Sequence, residues 1–456
     1  MSFVVHKNEQ HIVDIVDLTS EGHGVAKIEQ YPIFIPGVLV GEKVEIKIVK
    51  TLKKYGFGKL LTILEESRDR VEPPCPVYDA CGGCQMQHLS YEAQLQQKWQ
   101  NVRQTLDRIG HVQHVRVHPF KGMNEPWRYR NKSQVPIQQQ GERAVWGFYR
   151  PRTHDVVETS ECLIQSAHAD RILNGMLPHL QRLQLEPYDE QTLKGTLRHM
   201  IVRVGEATGQ LMVVLVTNVK KLAKEREIVE QLLEIEPTIT SIVQNVNMKN
   251  TNVILGHEST PIYGPAVIED ELNGITFEIS ANSFYQVNRK QTEVLYDQAL
   301  QYAGLTGKET VIDAYCGIGT ISLSLAKRAK HVYGVEIVPA AIADAKRNAE
   351  LNGIENATFL VGKSEEIVPA WYAEGKKFDV LVVDPPRKGC DAQLLETILT
   401  YKPERVVYVS CNPATLARDL KILHEGGYNI EEVQPVDMFG HSTHIENVAK
   451  LTVRPM

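Results

Sequence analysis

One segment in the last third of the chain constrains the fold more than any other. Residues 311–320 run Val-Ile-Asp-Ala-Tyr-Cys-Gly-Ile-Gly-Thr, which is typical of a buried strand, a glycine turn and the start of a helix. Similar alternation continues to the C-terminus and predicts a doubly wound, Rossmann-like α/β sheet. The predicted strands are 311–314, 331–336, 378–384, 405–409 and about 447–453. The predicted helices include 321–330 and 340–351.

The glycine turn also predicts a nucleotide-type ligand. Glycines let the backbone come close to a bound molecule, and the helix start offers free N–H groups. Glu336 ends the next strand, 19 residues after Gly317, where a carboxylate can accept both hydroxyls of a ribose. A dinucleotide requires a third glycine three residues after Gly319, but position 322 is Ser. We therefore expect S-adenosyl-L-methionine, whose methionine end needs no phosphate cradle.

Two further predicted strands end in residues that can carry chemistry. Asp384-Pro-Pro-Arg-Lys-Gly follows one strand, and Ser410-Cys411-Asn412-Pro413 follows the other. Doubly wound sheets bind their ligands at the carboxyl ends of the strands. A cysteine there is either a small buried side chain or a nucleophile, and the polar turn around Cys411 favours the nucleophile.

Glu446 supplies a carboxylate near the start of the last predicted strand, two residues after His444. Alone it has the character of an ordinary exposed glutamate, but beside Cys411 it can serve as a general base. Methylation of uracil at C5 requires both groups. A thiolate adds to C6 and makes C5 nucleophilic, and a base then removes the C5 proton so that the thiolate can leave.

The N-terminal part has a different pattern. Between residue 11 and about 65, apolar and charged residues alternate between glycine turns, which predicts a small β-barrel. Lysines interleave with Tyr55 and Phe57, as in barrels that bind single-stranded nucleic acid, although a solvated lysine face fits equally well. These lysines are Lys50, Lys53, Lys54 and Lys59.

A break at Pro73-Pro74-Cys75-Pro76 begins a central region that extends to about residue 280. A helix is predicted at 91–109, and mainly strands follow it. Basic and aromatic residues are mixed here, which suits phosphate contact and base stacking; a polar sheet face over core aromatics fits nearly as well. The basic residues are Arg128, Arg130, Lys132, Arg150, Arg152, Arg198, His199 and Arg203, and the aromatic ones are Trp127, Tyr129, Trp146, Phe148 and Tyr149.

Composition limits the class of protein. A hydrophobic content of 43% and a charged content of 23% are those of a globular protein, and 456 residues predict two or three domains. No stretch approaches the roughly 20 apolar residues of a membrane span, and the first residues lack the plan of a secretory signal, so we expect a cytoplasmic protein. The net charge of −6 gives no general attraction to nucleic acid.

In combination, these motifs resemble the bacterial RNA 5-methyluridine methyltransferases over nearly the whole chain. The glycine turn, the two strand-end motifs with Arg418-Asp419, and His444-x-Glu446 carry the resemblance. Ser283-Phe-Tyr-Gln-Val-Asn resembles the start of their catalytic domain, and the barrel resembles their TRAM module. The resemblance implies that Cys411 is the nucleophile and that Glu446 removes the C5 proton. It also implies an S-adenosylmethionine pocket formed by Gln286, Tyr315, Glu336 and Asp384.

Seven cysteines, an odd number, argue against a disulfide framework. Four of them, Cys75, Cys81, Cys84 and distant Cys162, have the donor set of a metal site. From the residues alone, both structural zinc and an iron–sulfur cluster remain open. The resemblance implies the 4Fe-4S cluster of the ribosomal RNA members, with a role in holding the central domain and its RNA-binding surface.

The resemblance further implies the substrate. Relatives acting on transfer RNA typically lack the barrel and the cysteines, so a uridine in 23S rRNA, flipped out of its stack, is expected. The alternatives are a uridine in transfer RNA, a non-catalytic RNA-binding assembly factor, and a nicotinamide-dependent oxidoreductase. Neither DNA nor a membrane is an expected partner, and a monomer is expected.

Three domains are predicted. A TRAM barrel of the OB-like kind occupies residues 1–66, and a central mixed α+β domain for the iron–sulfur cluster and RNA occupies 67–280. The S-adenosylmethionine-dependent methyltransferase domain occupies 281–456. Helix 91–109 is a candidate to pack on the catalytic domain.

Overall fold

The computed structural model describes residues 5–112 and 114–455. Within these residues the strands form a six-stranded sheet, a seven-stranded sheet, a two-stranded hairpin and an eight-stranded sheet. None of the helices in this part of the chain is long and apolar enough to cross a membrane.

The six-stranded sheet is the predicted N-terminal barrel. Its strands are β1 (Gln10–Asp14), β2 (Asp17–Leu18), β3 (Gly24–Ile28), β4 (Tyr31–Ile35), β5 (Lys43–Thr51) and β6 (Gly56–Glu65). Because β1 pairs with β5 while β2, directly after it, pairs with β3, this stretch joins the two edges of the sheet. Val44, Ile46 and Ile48 alternate along β5 and are fully buried inside, as a strand period of two predicts.

The next elements belong to the C-terminal sheet in space. These elements are α1 (Tyr91–Arg108) and β7 (Arg116–Val117). Val102 and Leu106 of α1 are buried in the same apolar core as Leu416 and Leu420, which lie more than 300 residues later. Apolar contact across this distance holds the helix on the C-terminal part of the chain.

The central sheet lies between two layers. Its strands are β8 (Lys132–Gln140), β9 (Arg143–Tyr149), β10 (Val156–Glu158), β11 (Leu197–Val204), β12 (Leu211–Thr217), β13 (Ile239–Val246) and β14 (Glu258–Tyr263), with α2 (Ala167–Met176), a 3-10 helix (Leu177–His179) and α3 (Glu225–Ile235) between them. Leu211, Val213 and Leu215 of β12 face the core shared with α2 and α3. Met212 and Val214 face the core of the C-terminal part, so β12 is buried on both faces.

The C-terminal part begins with a hairpin and a helix and then alternates strands with helices. Its elements are β15 (Val267–Leu272), β16 (Ile275–Ser280), α4 (Arg289–Ala303), β17 (Thr310–Ala314), α5 (Thr320–Ala326), β18 (His331–Glu336), α6 (Pro339–Leu351), β19 (Ala357–Val361), α7 (Ser364–Ala373), β20 (Val380–Val383), α8 (Ala392–Tyr401), β21 (Arg405–Ser410), α9 (Pro413–Glu425), β22 (Tyr428–Val436) and β23 (Glu446–Val453).

The eight-stranded sheet has the order β19-β18-β17-β20-β21-β23-β22-β7. The strands from β19 to β21 are parallel, which confirms the predicted α/β fold. β23 lies antiparallel between β21 and β22. Its first residue therefore lies at the edge where the parallel strands end, an arrangement that the alternating pattern alone did not predict.

Two predicted element ends differ from the structure by more than one residue. β20 begins at Val380 rather than 378, and the Asp379 side chain just before it accepts the N–H of Thr310 at 2.8 Å. α5 ends at Ala326 rather than 330. The domain divisions at residues 66 and 280 stay predictions. Residues 91–108 and 116–117, although they precede residue 280, pack on the C-terminal sheet.

Candidate active site

The carboxyl edge of the eight-stranded sheet opens into a cavity of about 1120 Å³. The parallel strands β17, β18, β20 and β21 end there, and β23 begins there. Six predicted site residues line it together: Gln286, Tyr315, Glu336, Asp384, Cys411 and Glu446. The structure thus brings the predicted nucleophile, base and donor pocket into one space.

The strand register sets Cys411 beside Glu446. Ser410 at the end of β21 is opposite Asn447 in β23. Cys411 follows Ser410 and Glu446 precedes Asn447, so the two residues continue this ladder by one step into the cavity. Glu446 is only 4% exposed, whereas Cys411 is half-buried.

Burial and like charges act on the ionisation of these groups. Burial raises the pKa of the Glu446 carboxyl well above its ordinary value, and the charge of Asp384 adds to the rise. Burial raises the pKa of the Cys411 thiol to about 11, again with contributions from Glu446 and Asp384. The guanidinium of Arg387 opposes both shifts. Arg387 belongs to a motif singled out in the sequence, but its place beside Cys411 and Glu446 was not predicted.

The glycine turn holds Glu336 in place. The backbone N–H groups of Gly317 and Val338 donate to its two carboxylate oxygens at 3.3 and 2.9 Å. Gly317 has a φ of +54°, and a Cβ added to it would meet open space on the cavity side. Tyr315 has a φ of +125°, which is costly for a residue with a side chain and is found mainly at functional sites.

Asp313 is a site residue that the sequence reasoning missed. It lies in β17, lines the cavity and is fully buried. One carboxylate oxygen accepts the Ser322 hydroxyl at 2.5 Å, and the other has no hydrogen-bond partner among the residues that the structure describes. Burial raises its pKa to about 7. Ser322, which counted only against a dinucleotide, therefore has a role of its own as the partner of this acid.

A buried carboxylate fixes the loop after Asp384 against the helix after Cys411. Asp419 in α9 is fully buried and accepts the N–H of Cys390 at 2.9 Å and the hydroxyl of Tyr408 at 2.6 Å. The neighbouring Arg418 donates to the carbonyl of Lys388 at 2.9 Å. The motif Arg418-Asp419 thus holds the two strand-end segments in a fixed relation.

The four predicted metal ligands lie apart from Cys411 and Glu446. Cys75, Cys81, Cys84 and Cys162 line a second cavity of about 220 Å³. The N–H of Gly83 donates to the Cys81 sulfur at 3.3 Å. Burial raises the pKa of the Cys84 thiol to about 11 and that of Cys162 to about 12. Across residues 5–112 and 114–455, no group of three or more His, Cys, Asp or Glu side chains is arranged to hold a metal ion.

The basic and aromatic residues of the central region separate by burial. Arg198 and Arg203 are buried and donate to backbone carbonyls, and Trp146 belongs to the core. The two arginines cannot reach phosphate, and Trp146 cannot stack on a base. For these three residues the alternative interpretation, a sheet face over core aromatics, is therefore correct. Arg130 and Lys132 line the active-site cavity, and Arg150 and Arg152 are exposed.

The barrel residues singled out in the sequence lie on its outside. Tyr55 and Phe57 are partly exposed and contact Phe34, with ring centroids 5.4 to 6.0 Å apart. The lysines around them are exposed: Lys50, Lys53, Lys54 and Lys59. Phe34, 21 residues before Tyr55, is brought to this cluster by the pairing of β4 with β6.

The sheet order, the glycine turn and the carboxylate of Glu336 define the class of S-adenosylmethionine-dependent methyltransferases. Residues 90–453 match the family described as tRNA (Uracil-5-)-methyltransferase, and residues 9–61 match the TRAM domain. The chain belongs to the tRNA (Uracil-5-)-methyltransferase family.

Individual relatives agree with this family membership. A protein of Halalkalibacterium halodurans named as an uncharacterized RNA methyltransferase is 55% identical over 450 residues, covering 99% of this chain and 98% of the relative. One of Staphylococcus aureus (strain MSSA476) is 49% identical over 451 residues, covering 99% of both chains. The crystal structure of Pyrococcus abyssi tRNA (uracil-54, C5)-methyltransferase in complex with S-adenosyl-L-homocysteine is 28% identical, with a TM-score of 0.79 over 97% of this chain and 99% of that one. The predictions of fold, TRAM barrel and S-adenosylmethionine-dependent RNA methyltransferase are confirmed.

Replacing Glu446 by Gln is expected to raise the melting temperature at pH 8 by about 2 to 4 °C. Burial raises the pKa of Glu446 in the folded chain above the ordinary 4.5. Between these two values the folded chain binds more protons than the unfolded one, so wild-type stability falls as the pH rises through that window. Gln has no charge to bury, so the gain should be smallest near pH 4.5 and grow toward pH 8.

Thermal melts of both proteins across this pH range test the expectation. Glu396→Gln, on the exposed face of α8, is the control and should melt with the wild type at every pH. A Glu446→Gln protein that melts below the wild type at pH 8 would contradict the expected charge penalty.

Proposed function

We propose that this chain methylates C5 of a uridine in 23S rRNA, with Cys411 as the nucleophile and Glu446 as the base that removes the C5 proton. The observation that carries the proposal is the ladder between β21 and β23. It places a half-buried thiol and a buried carboxylate next to each other in a cavity with Asp384.

The proposed reaction begins at C6 of the uracil. The Cys411 thiolate forms a bond to C6, and the C5–C6 π electrons move to C5 and its enolate oxygen. C5 would then take up the methyl group as its bond to the donor sulfur breaks, with that electron pair left on the sulfur as a neutral thioether, and C5 would carry both the methyl group and its proton. Glu446 accepts the proton, the C5–C6 double bond forms again, and the C6–sulfur bond breaks to release the thiolate.

Gln286, Tyr315, Glu336 and Asp384 would hold S-adenosylmethionine. The residues present fit it: the Glu336 carboxylate is held by two backbone N–H groups, and the free oxygen of Asp313 lines the cavity as an acceptor. When bound, S-adenosylmethionine supplies the methyl group. Asp384, between this pocket and the Cys411–Glu446 pair, would face both donor and uracil.

The target uracil must leave its stack to enter this cavity, because Cys411 needs one face of the ring and the methyl donor the other. Arg130 and Lys132 at the cavity and Arg150 and Arg152 outside it can contact phosphates. The Phe34–Tyr55–Phe57 cluster, with exposed lysines around it, provides rings on which unpaired bases can stack.

The choice of 23S rRNA rests on the resemblance to ribosomal RNA members that carry four such cysteines. A second candidate substrate is a uridine in transfer RNA. It is favoured by the likeness to the Pyrococcus abyssi tRNA (uracil-54, C5)-methyltransferase, which extends over 97% of this chain. That likeness includes the barrel. The presence of a barrel therefore does not distinguish enzymes that act on ribosomal RNA from those that act on transfer RNA.

A 4Fe-4S cluster held by Cys75, Cys81, Cys84 and Cys162 is part of the proposal. Its support is a donor set of four thiols around a cavity with room for a group larger than one ion. The N–H donated to Cys81 by Gly83 is the kind of hydrogen bond that stabilises cluster sulfurs. The cluster would hold together residues 75–84 and Cys162.

Cys411→Ala is expected to abolish methylation, because no bond to C6 can form. Glu446→Gln is expected to lower turnover by at least about 100-fold and to trap protein on methylated RNA, because elimination needs the base. Labelled S-adenosylmethionine and denaturing gels measure both. Full activity of Cys411→Ala, or free product without trapped complex from Glu446→Gln, would contradict the mechanism.

The class of RNA is tested with unmodified transcripts of 23S rRNA and of transfer RNAs. We expect 5-methyluridine in 23S rRNA, located by nuclease digestion and mass spectrometry, and none in transfer RNA. Methylation confined to transfer RNA would establish the second candidate instead.

Anaerobically purified protein is expected to be brown, with broad visible absorbance and about four iron atoms per chain. Cys81→Ser should lose the colour together with soluble yield or RNA affinity. Cys390→Ala, which removes a buried thiol outside the second cavity, is the control. It should keep the colour, the soluble yield and the RNA affinity. Colourless protein that contains stoichiometric zinc would contradict the cluster.

A further inference from the structure

The loop between β22 and β23, residues 437–445, forms a wall shared by the two cavities. Phe439 and His444 line both of them, and Ser442 lines the cavity of the four cysteines. Glu446 is the first residue after this loop. A displacement of the loop would therefore displace the proposed base.

A buried ion pair from α1 holds the first residue of the loop. The Lys98 ammonium donates to Asp437 at 2.6 Å, and the two side chains are 2% and 0% exposed. The same ammonium donates to the carbonyl of Phe439 at 3.1 Å. The Tyr91 hydroxyl donates to the second oxygen of Asp437 at 2.7 Å. Because a buried charge without its partner is strongly unfavourable, this pair fixes the loop against the helix.

The middle of the loop is fixed from the same side. Gln94 of α1 accepts the N–H of His441 at 3.0 Å. The N–H groups of Gln85 and Met86, directly after Cys84, donate to the carbonyl of His441 at 2.9 and 3.0 Å. The His441 ring stacks on Trp127, with centroids 3.6 Å apart. The loop is thus attached to α1 and to the cysteine segment.

Cys411 also has anchors that lie outside this loop. It follows β21, and α9 after it is tied to the loop of Asp384 through the buried Asp419. Loosening residues 437–445 therefore acts on Glu446 from one side of the active site and leaves the anchors of the thiol in place.

We propose that Lys98, acting through Asp437, is a positioning residue for the step that removes the C5 proton. The inference rests on the proposed function and deepens it. With the ion pair broken, Cys411 still adds to C6 and the methyl group is still transferred, but Glu446 is misplaced and elimination slows. Covalent protein–RNA complex should then accumulate, which a general loss of folded protein would not produce.

Lys98→Met and Tyr91→Phe test this inference; Tyr91→Phe keeps both charges and serves if Lys98→Met fails to fold. The control, Arg70→Met, breaks another ion pair to a buried carboxylate, in which Arg70, 16% exposed, donates to the fully buried Glu42 of the barrel at 2.5 Å. For Lys98→Met we expect kcat to fall on the order of 10- to 100-fold, KM for RNA to stay within about twofold, and trapped complex to rise. Tyr91→Phe should show a smaller effect in the same direction, and Arg70→Met no rise in trapped complex.

Glu446→Gln in the same assay separates the two levels of the proposal. If it traps no complex, the proposed function is overturned and the inference with it. If it traps complex while Lys98→Met and Tyr91→Phe release product at the wild-type rate, the positioning role alone is overturned. Equal losses of complex formation and product release in Lys98→Met would overturn it as well.

Discussion

The site depends on the reversed direction of β23. Between two neighbours in an otherwise parallel arrangement, this antiparallel strand begins where the parallel strands end. Its first residue, Glu446, therefore reaches the edge at which Glu336, Asp384 and Cys411 lie. Without that reversal a thiol from β21 and a carboxylate from the C-terminal strand would lie at opposite edges of the sheet.

The same arrangement concentrates acidic groups in a space that disfavours charge. Burial raises the pKa of Asp313 to about 7 and that of Asp384 to about 6, and it raises that of Glu446 well above its ordinary value. A fold selected for stability alone would not place three carboxyls there, and active sites commonly carry such a cost. The buried Asp419 and the pair Lys98–Asp437 hold the surrounding segments in place against it.

The sequence predicted those features that depend on neighbouring residues. The glycine turn at 317–319, the strand ends at Asp384 and Cys411 and the alternating barrel strands are local patterns, and their placement follows from the known behaviour of parallel sheets. The partnership of Asp313 with Ser322 was accessible in principle, since an acid before a glycine turn faces the helix that follows.

Other features depend on contacts that no local pattern records. Lys98 meets Asp437 across 339 residues of sequence. The sequence does not distinguish Arg198 and Arg203 from exposed arginines that bind RNA. In the structure they donate to backbone carbonyls inside the protein. The proposed bond between the sulfur of Cys411 and the pyrimidine ring is tested most directly with RNA that carries 5-fluorouridine at the target position, in which no C5 proton can be removed. Trypsin digestion and mass spectrometry should find a methylated fluorouridine nucleotide on Cys411, in the peptide 406–418; attachment to another residue, or methylation without any covalent complex, would contradict the account.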